Sequence, residues 1–209
     1  MADDTIKRYT ELPYVLQSLT DKSIFLCNPE AWDDKNDSHY VKIYKEKKEL
    51  KTVLAVCLTS AEQTYHHWRI FTHGSSGACI HFNKKKFHSW LSQQKDIAGR
   101  EIIYKTLPTL QKNPPKLDEL PFLKRSAYKH ESELRLLFEH KTEIVPLKKV
   151  SFPIAIIERI LINPWLPFET VKVLKAIINQ IPGCDNIVVE RATIINNEDW
   201  KKLANSVNT

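Results

Sequence analysis

Glycine is scarce in this sequence, and its scarcity excludes one common way of holding a nucleotide. Four glycines occur in 209 residues. Phosphate-binding loops of the Rossmann and P-loop kinds concentrate several glycines in a short span, because the backbone must approach the phosphate closely. Such a loop is therefore absent, and any nucleotide must be held in another way.

Paired cysteines and long apolar runs are also lacking. The four cysteines, Cys27, Cys57, Cys79 and Cys184, are far apart and show no metal-ligand spacing. Three of them lie in apolar runs, where a free cysteine behaves as a small buried hydrophobic residue, so we expect a reducing, cytoplasmic compartment. No apolar run approaches the ~18 residues of a membrane-spanning helix, and residues 1–9 are polar and charged, unlike a secretory signal. The sequence therefore predicts no membrane association.

Length and charge bound the class of protein. A chain of 209 residues suits one sizeable core, so we predict a single domain over residues 1–209. Its hydrophobic content of 42% and charged content of 27% are ordinary for a soluble globular protein. The 31 basic and 25 acidic side chains leave a formal charge of +6, which favours anionic partners such as nucleic acid or a nucleotide.

The apolar patterns predict an α/β (α+β) fold. Residues 52–58 are almost wholly apolar and β-branched, as in a central strand buried on both faces. Residues 154–162, 167–181 and 186–192 indicate in turn a strand, a helix and a strand. Such a crossover joins parallel strands. We therefore expect a mixed central sheet flanked by helices.

Residues 128–138 carry the densest pattern of chemically useful side chains. If this stretch forms a strand, Glu131, Glu133 and Arg135 share one face, because successive side chains alternate. A carboxylate beside a fixed cation stays ionised, and a neighbouring like charge raises its pKa, so the pair can stabilise a developing cation or position a nucleophile. An edge strand with a solvated row of ion pairs has the same spacing, and spacing alone leaves both interpretations open.

Other polar groups in the sequence are ambiguous. Thr59 and Ser60 end the predicted central strand, where their hydroxyls would either bind a substrate or cap the next helix. The Asp/Asn cluster at residues 33–37 could hold a metal or a sugar, but these residues are common turn formers and a turn is favoured. His66 and His67 are adjacent and so lack the i, i+4 spacing of a paired metal site. We therefore predict no metal.

The sequence resembles a large bacterial family of unknown function over most of its length. The matching residues are Arg8, Tyr9, residues 32–37 and 58–60, Trp68, Phe71, Gly74, residues 77–80, Phe82, Tyr128, Glu131, Glu133 and Arg135. The family pattern has a Lys/Arg-Tyr strand, an aromatic-Asn-Asp-Pro loop, a W-x-x-Y segment, a G-x-C-I-x-F strand and a Y-x-x-E-x-E-x-R strand. Asp33, Lys35 and Phe71 depart from this pattern, so the role of the loop is the least transferable.

A more distant resemblance is to ADP-ribosyltransferases of the Arg-Ser-Glu type. These enzymes place an arginine on an early strand, a Ser-Thr-Ser strand end in the middle and an E-x-E pair at a late apolar strand. Here Arg8, Thr59-Ser60 and Glu131-Ser132-Glu133 stand in that order. The chain length and the opening strand, short helix and strand also resemble bacterial transferases that modify DNA bases. The resemblance implies an ADP-ribosyltransferase-like fold with NAD as the substrate.

The same resemblance implies roles for individual residues. Glu133 would stabilise the cation that forms as nicotinamide leaves, and Glu131 would orient or deprotonate the acceptor. Arg8 would bind the NAD pyrophosphate, with a surface salt bridge as its structural alternative. Trp68 or Phe71 would stack on the nicotinamide ring or else pack in the core. The full set implied to bind the cofactor is Arg8, Tyr9, Thr59, Ser60, Trp68, Phe71 and Arg135.

The resulting prediction is an NAD-dependent ADP-ribosyltransferase or NAD glycohydrolase that acts as a bacterial toxin or phage-defence effector. Its acceptor would be a nucleic acid, and its partner an antitoxin or another protein of a defence system. Two other classes stay open. A metal-dependent nuclease would gather Asp34, Asp37, Glu131 and Glu133 around a divalent ion. A non-catalytic module would bind nucleic acid or a partner protein.

Overall fold

Apolar side chains on alternate strand positions draw the chain into one mixed sheet. The computed structural model describes residues 4–72 and 74–205. Its strands are β1 (Thr5–Glu11), β2 (Ser23–Leu26), β3 (Thr52–Thr59), β4 (Gly77–Asn83), β5 (Ile97–Glu101), β6 (Ile103–Lys105), β7 (Leu123–Arg125), β8 (Glu133–His140), β9 (Lys148–Ser151), β10 (Ile157–Ile162) and β11 (Val188–Arg191). Its α-helices are α1 (Leu12–Thr20), α2 (Lys35–Lys47), α3 (Tyr65–Phe71), α4 (Lys84–Leu91), α5 (Leu107–Lys112), α6 (Phe168–Asn179) and α7 (Glu198–Asn205). Short 3-10 helices occupy Pro29–Ala31, Leu117–Phe122, Ser126–Glu131 and Ile154–Ile156.

The strand order confirms the predicted fold class. Within the described residues, a seven-stranded sheet runs in the order β11-β10-β4-β1-β3-β8-β5, and smaller sheets form from β2 with β9 and from β6 with β7. Strands β10 and β11 are parallel and are joined by α6, as the crossover pattern predicts. The other neighbouring strands of the large sheet are antiparallel. The protein is therefore a single α/β domain with a mixed central sheet and flanking helices.

Helices cover both faces of this sheet. On one face, α1, α4 and α6 contribute Val15, Phe87 and Val171 to the largest core cluster. On the opposite face, α2 and α3 pack through Tyr44 and Trp68. Burial from both sides explains why the inner strands are apolar almost throughout. Among the helices of residues 4–72 and 74–205, none is long and apolar enough to cross a bilayer.

The sheet is split between β1 and β3. Strand β1 pairs with β4 along its whole length, whereas among the described residues its only registered pair with β3 joins Lys7 to Thr59. Farther along, Cys27 bridges to β3 and Cys57 is exposed between the two contacts. We call this opening, bounded by Arg8, Cys27 and Cys57, the strand split. Because a neighbouring strand is missing there, the expected burial of cysteines in apolar runs is wrong for Cys27 and Cys57.

The predicted strand at residues 128–138 is only partly correct. A 3-10 helix ends at Glu131, Ser132 adopts a left-handed conformation with φ 40°, and β8 begins at Glu133. The left-handed residue turns the chain before strand pairing begins. The prediction that Glu131 alternates with Glu133 and Arg135 on one strand is therefore wrong, although all three side chains are buried in the same region.

The predicted turn at residues 33–37 is also wrong in part. Asp34 caps α2 by accepting hydrogen bonds from the backbone N–H groups of Asn36 and Asp37. Such a cap satisfies N–H groups that have no partner within the helix. The helix consequently begins at Lys35, and Asp37 lies in its first turn with its side chain buried against the sheet.

We expect Leu136→Ala to lower the free energy of unfolding by about 3 kcal/mol, because it leaves a cavity in a close-packed core. Leu136 has no exposed surface and belongs to the largest core cluster, on the face away from Glu133. Ile144→Ala is the matched control, since Ile144 is 82% exposed and should change stability by less than ~0.5 kcal/mol. Urea denaturation followed by circular dichroism measures both variants. Equal losses would contradict the described core.

Candidate active site

Five charged side chains meet where β8 begins, and we call them the charge cluster. They are Asp37 from α2, Lys124 from β7, Glu131 from the 3-10 helix, and Glu133 and Arg135 from β8. The arginine and the three carboxylates are buried, and Lys124 is partly buried. Buried charges are stable only when they are paired and hydrogen-bonded. The cluster therefore has to be described contact by contact.

Arg135 holds two of the carboxylates in fixed positions. Its Nε donates to Glu133 Oε1 at 2.8 Å. Its Nη1 and Nη2 donate to Asp37 Oδ1 and Oδ2 at 2.8 and 2.6 Å, a bidentate contact. Nη1 also donates to the Pro121 carbonyl at 2.8 Å, and the guanidinium lies 4.4 Å from the Trp32 ring centroid. Because the guanidinium makes these contacts and has no exposed surface, it holds Glu133 in position and does not itself face a ligand.

Lys124 joins the two glutamates from the other side. Its Nζ donates to Glu131 Oε2 at 2.6 Å and to Glu133 Oε2 at 3.3 Å. Glu133 is thus held by Lys124 at one oxygen and by Arg135 at the other. Because both contacts are charge-assisted, the carboxylate has a single defined orientation.

The pKa values of the two glutamates move in opposite directions. Burial raises the pKa of Glu133, but the positive charges of Arg135 and Lys124 outweigh burial and lower its pKa overall. Burial also raises the pKa of Glu131, and there the hydrogen bond and charge of Lys124 offset it only in part. Neighbouring carboxylates with divergent pKa values suit different tasks, one staying ionised and the other exchanging protons.

The hydroxyls of Thr59 and Ser60 support the backbone that carries both glutamates. Thr59 Oγ1 donates to the Glu131 carbonyl. The Ser60 N–H and Oγ both donate to the Ser132 carbonyl, at 3.1 and 3.3 Å. Thr59 Oγ1 also accepts a hydrogen bond from the Ala61 N–H, which closes a local turn. The prediction that Thr59 or Ser60 caps the next helix is wrong, because Thr64 caps α3. In this structure the two hydroxyls fix the turn between the 3-10 helix and β8.

Tyr104 fixes the first residue of β8. The Glu133 N–H donates to Tyr104 Oη at 2.9 Å. Burial raises the pKa of Tyr104 to about 12, so the phenol stays neutral at ordinary pH. The backbone and the side chain of Glu133 are therefore both held by named partners.

Cys57, at the strand split, lies beside Glu133. Cys57 of β3 is directly opposite Arg135 of β8 in the strand register. The side chains of Cys57, Arg135 and Glu133 therefore lie on the same face of the sheet. The residue Cys57 is exposed, but its thiol is desolvated by the surrounding protein, which raises the pKa of the thiol, and the Glu133 carboxylate adds to this shift. Glu133 is itself buried, and its neighbour Cys57 lies at the strand split.

Arg8 lies in the same split. Desolvation by the surrounding protein lowers the pKa of Arg8, and the smaller electrostatic effects of Cys27 and Cys57 raise it in part. Its Nη1 is buried and has no hydrogen-bond partner among the described residues. An unpaired buried donor is costly unless a ligand or water satisfies it. Cys57 lies near both Arg8 and Glu133. The strand register joins Lys7 to Thr59 and Thr59 to Glu133, so Arg8, the next residue, projects from the opposite face of the sheet. One guanidinium donor of Arg8 is left for an anion.

Aromatic rings line the neighbouring part of β1 and α3. Tyr9 contacts Trp68 edge to face at 5.3 Å and Phe71 at 6.1 Å between ring centroids. Trp68 is 1% exposed, so it packs in the core, whereas Tyr9 and Phe71 are half-buried. His67 stacks on Phe71 at 5.8 Å. The surface available to a planar ligand is therefore that of Tyr9 and Phe71.

Sequence reasoning missed Asp37 as a partner of Arg135, and it missed Lys124 and Tyr104 altogether. The capping pattern at Asp34 could have placed Asp37 in a first helical turn. Lys124 and Tyr104 carry no signal in the sequence, because they reach the cluster through a small parallel sheet between distant segments.

The nuclease alternative requires a different charge arrangement. Asp37, Glu131 and Glu133 are already neutralised in pairs by Arg135 and Lys124. Among residues 4–72 and 74–205, no group of three or more His, Cys, Asp or Glu side chains is placed to hold a metal ion. The carboxylates are arranged around protein cations.

Comparison with known proteins assigns no family. No family model matches the chain, and no curated protein matches it. Among solved structures, DarT of Thermus sp. 2.9 in complex with ADP-ribosylated single-stranded DNA is similar over 95% of this chain and 96% of that chain, at 12% identity and a TM-score of 0.46. A likeness this loose assigns neither a family nor an activity.

We expect Arg135→Met to lower the free energy of unfolding by about 3–5 kcal/mol, because it removes the closest cation from the buried carboxylates of Asp37 and Glu133. Arg125→Met is the matched control, since Arg125 is exposed on β7 and should have an effect of less than ~0.5 kcal/mol. Urea denaturation measures both. A stability loss in Arg135→Met no larger than in the control would disprove the described contacts.

Proposed function

We propose that this protein cleaves the bond between nicotinamide and ribose in NAD and transfers ADP-ribose to an acceptor. The observation that carries the proposal is Glu133, a carboxylate held ionised between two cations beside Cys57 of the strand split. Arg8 presents a buried, unpaired donor in the same split. NAD has charges that complement both groups: its anionic pyrophosphate suits Arg8, and the cation that develops at its reacting centre suits Glu133.

Glu133 is assigned to the bond-breaking step. When the glycosidic bond breaks, its electron pair goes to the ring nitrogen, which neutralises the nicotinamide, and positive charge develops on the ribose. A fixed carboxylate stabilises that charge without reorganising, which is the main requirement for electrostatic catalysis. Arg135 and Lys124 lower the pKa of Glu133 and thereby keep it ionised.

Glu131 is assigned to proton transfer. The acceptor attacks the ribose carbon and must lose a proton, which passes to the Glu131 carboxylate. Its pKa is raised by burial, and a base with a raised pKa accepts a proton more readily. If water is the acceptor, the reaction is NAD hydrolysis. If a nucleic-acid base is the acceptor, it is ADP-ribosylation.

The predicted cofactor-binding residues then have different tasks. Arg8 would bind the pyrophosphate through its unpaired Nη1. Tyr9 and Phe71 would contact the nicotinamide ring, with Trp68 packed behind them. The remaining members, Thr59, Ser60 and Arg135, would position the glutamates without touching NAD.

The acceptor and the biological role extend the proposal. The formal charge of +6 favours a nucleic-acid acceptor. An enzyme that consumes NAD or modifies nucleic acid in the cytoplasm would suit a toxin or a phage-defence effector. Such an activity would need a restraining partner protein, either an antitoxin or another member of a defence system.

We expect Glu133→Gln to reduce nicotinamide release from NAD by at least ~100-fold, because the neutral amide cannot stabilise the developing cation. Chromatographic measurement of nicotinamide gives the rate. Glu143→Gln is the matched control, since its side chain is 73% exposed and should leave the rate unchanged. Unaltered release by a folded Glu133→Gln protein would remove Glu133 from the mechanism, and magnesium-dependent strand cleavage without nicotinamide release would favour the nuclease.

We expect NAD hydrolysis to fail as the pH falls through the pKa of Glu131, because the protonated acid cannot act as a base. This pKa lies above the ordinary glutamate value, and Lys124 holds it down in part. Lys124→Met should therefore move the acid limb of the pH–rate profile to higher pH. Lys124→Arg keeps the cation and should leave the limb close to its original position. An unmoved limb in a folded Lys124→Met protein would contradict the assignment of Glu131.

A further inference from the structure

A second cluster of functional side chains lies on the outer side of α3. The Arg69 guanidinium lies 4.0 Å from the Trp165 ring centroid and 5.3 Å from that of Tyr65. Arg69 Nε donates to Tyr65 Oη at 3.0 Å, and the Tyr65 and Trp165 rings meet edge to face at 5.6 Å. We call Tyr65, Arg69 and Trp165 the guanidinium platform. Its three planar groups hold one another in place.

The platform has binding capacity that its internal contacts do not use. Arg69 donates through Nε to Tyr65, whereas its Nη1 and Nη2 have no hydrogen-bond partner among the described residues. Likewise, no carboxylate in the described part of the chain lies within ion-pair distance of Arg69. The side chain is exposed, and Tyr65 is 45% exposed. A fixed guanidinium with free donors next to aromatic surface is suited to a phosphate or a base.

Basic and apolar side chains lie next to members of the platform. His66 contacts the Tyr65 ring at 6.1 Å. Arg191 Nη1 donates to the carbonyl of Leu166, the residue after Trp165, at 3.3 Å. Ile70, next to Arg69, is 59% exposed. Among the described residues, neither Arg69 nor Arg191 forms an ion pair with a carboxylate. Both guanidinium groups can therefore attract an anionic polymer.

We propose that the guanidinium platform binds single-stranded nucleic acid, with a base against the aromatic and guanidinium planes and the backbone phosphate at the free Arg69 donors. Unpaired strands expose the faces of their bases, and stacking on aromatic side chains is their usual mode of recognition. A duplex hides those faces. The binding claim stands by itself, and its catalytic consequence rests on the proposed NAD-consuming function.

Helix α3 connects the platform to the active site. Its inner side carries Trp68 and Phe71, which contact Tyr9 of β1. Its outer side carries Tyr65 and Arg69, one helical turn apart. A strand on the platform would therefore lie within about 10 Å, the diameter of one helix, of the aromatic rings on the inner side of α3. The platform would hold the acceptor strand beside the site that receives NAD.

The test measures binding and chemistry separately in the full chain. The probe is a fluorescently labelled, mixed-sequence, single-stranded oligodeoxynucleotide, and anisotropy gives its Kd. We expect Arg69→Ala and Trp165→Ala each to raise Kd by at least about fivefold, the lower end of the loss for one stacked base. Arg69→Lys keeps the charge but not the plane and should bind less tightly than the wild type. The control Lys172→Ala removes an exposed cation of α6, which is paired with Glu169, and should change Kd by less than twofold.

The same variants are assayed for nicotinamide release into water, which does not need the acceptor strand. Retained release with lost oligonucleotide binding supports the platform and leaves the proposed function intact. Lost binding without nicotinamide release in any protein, wild type included, supports the platform and overturns the proposed function. Unchanged Kd in folded Arg69→Ala, or tighter wild-type binding of an acidic peptide than of the oligonucleotide, overturns the platform. Thermal unfolding identifies any variant that does not fold, and the exposed Arg69 keeps the test valid if Trp165→Ala fails.

Discussion

The bidentate contact between Arg135 and Asp37 is the constraint on which the site depends. It joins the start of α2 to β8 across nearly 100 residues of chain, with both side chains buried. Removing two charges from water is costly, and only close pairing with further hydrogen bonds offsets that cost. Once the guanidinium is fixed by Asp37 and the Pro121 carbonyl, its Nε can hold only one orientation of Glu133. The position of the carboxylate is thus a consequence of how α2 packs.

Two cations and three carboxylates create an uneven set of proton affinities. Glu133 has two cationic partners and a lowered pKa, while Glu131 has Lys124 and a raised pKa. Residues two apart in sequence would have similar environments on a regular strand edge. Here the left-handed Ser132 separates them, because it places Glu131 in a 3-10 helix and Glu133 at the start of β8. A single backbone turn therefore gives the two acids different chemistry.

The strand split and α3 border the charge cluster on the β1 side of the sheet. Because β1 and β3 have one registered pair among the described residues, Cys57 is left exposed beside the buried Glu133. Helix α3 lies against β1 and presents different side chains on its two sides. Trp68 faces the core, and Arg69 faces solvent on the Trp165 ring. Under the proposed function, NAD and the acceptor strand would bind on different sides of this one short helix.

The sequence by itself determined the mixed α/β fold, the crossover of β10, α6 and β11, and the importance of Glu131, Glu133 and Arg135 as a charged group in an apolar context. These features are local, since they follow from side-chain periodicity and from spacing within one segment. Tertiary structure decided the rest. It made Asp37 the partner of Arg135, brought Lys124 between the glutamates, and turned the hydroxyls of Thr59 and Ser60 toward the backbone. Each of these contacts joins segments distant in the chain, and no local pattern specifies which buried charge will meet which, because that depends on how the helices and strands pack.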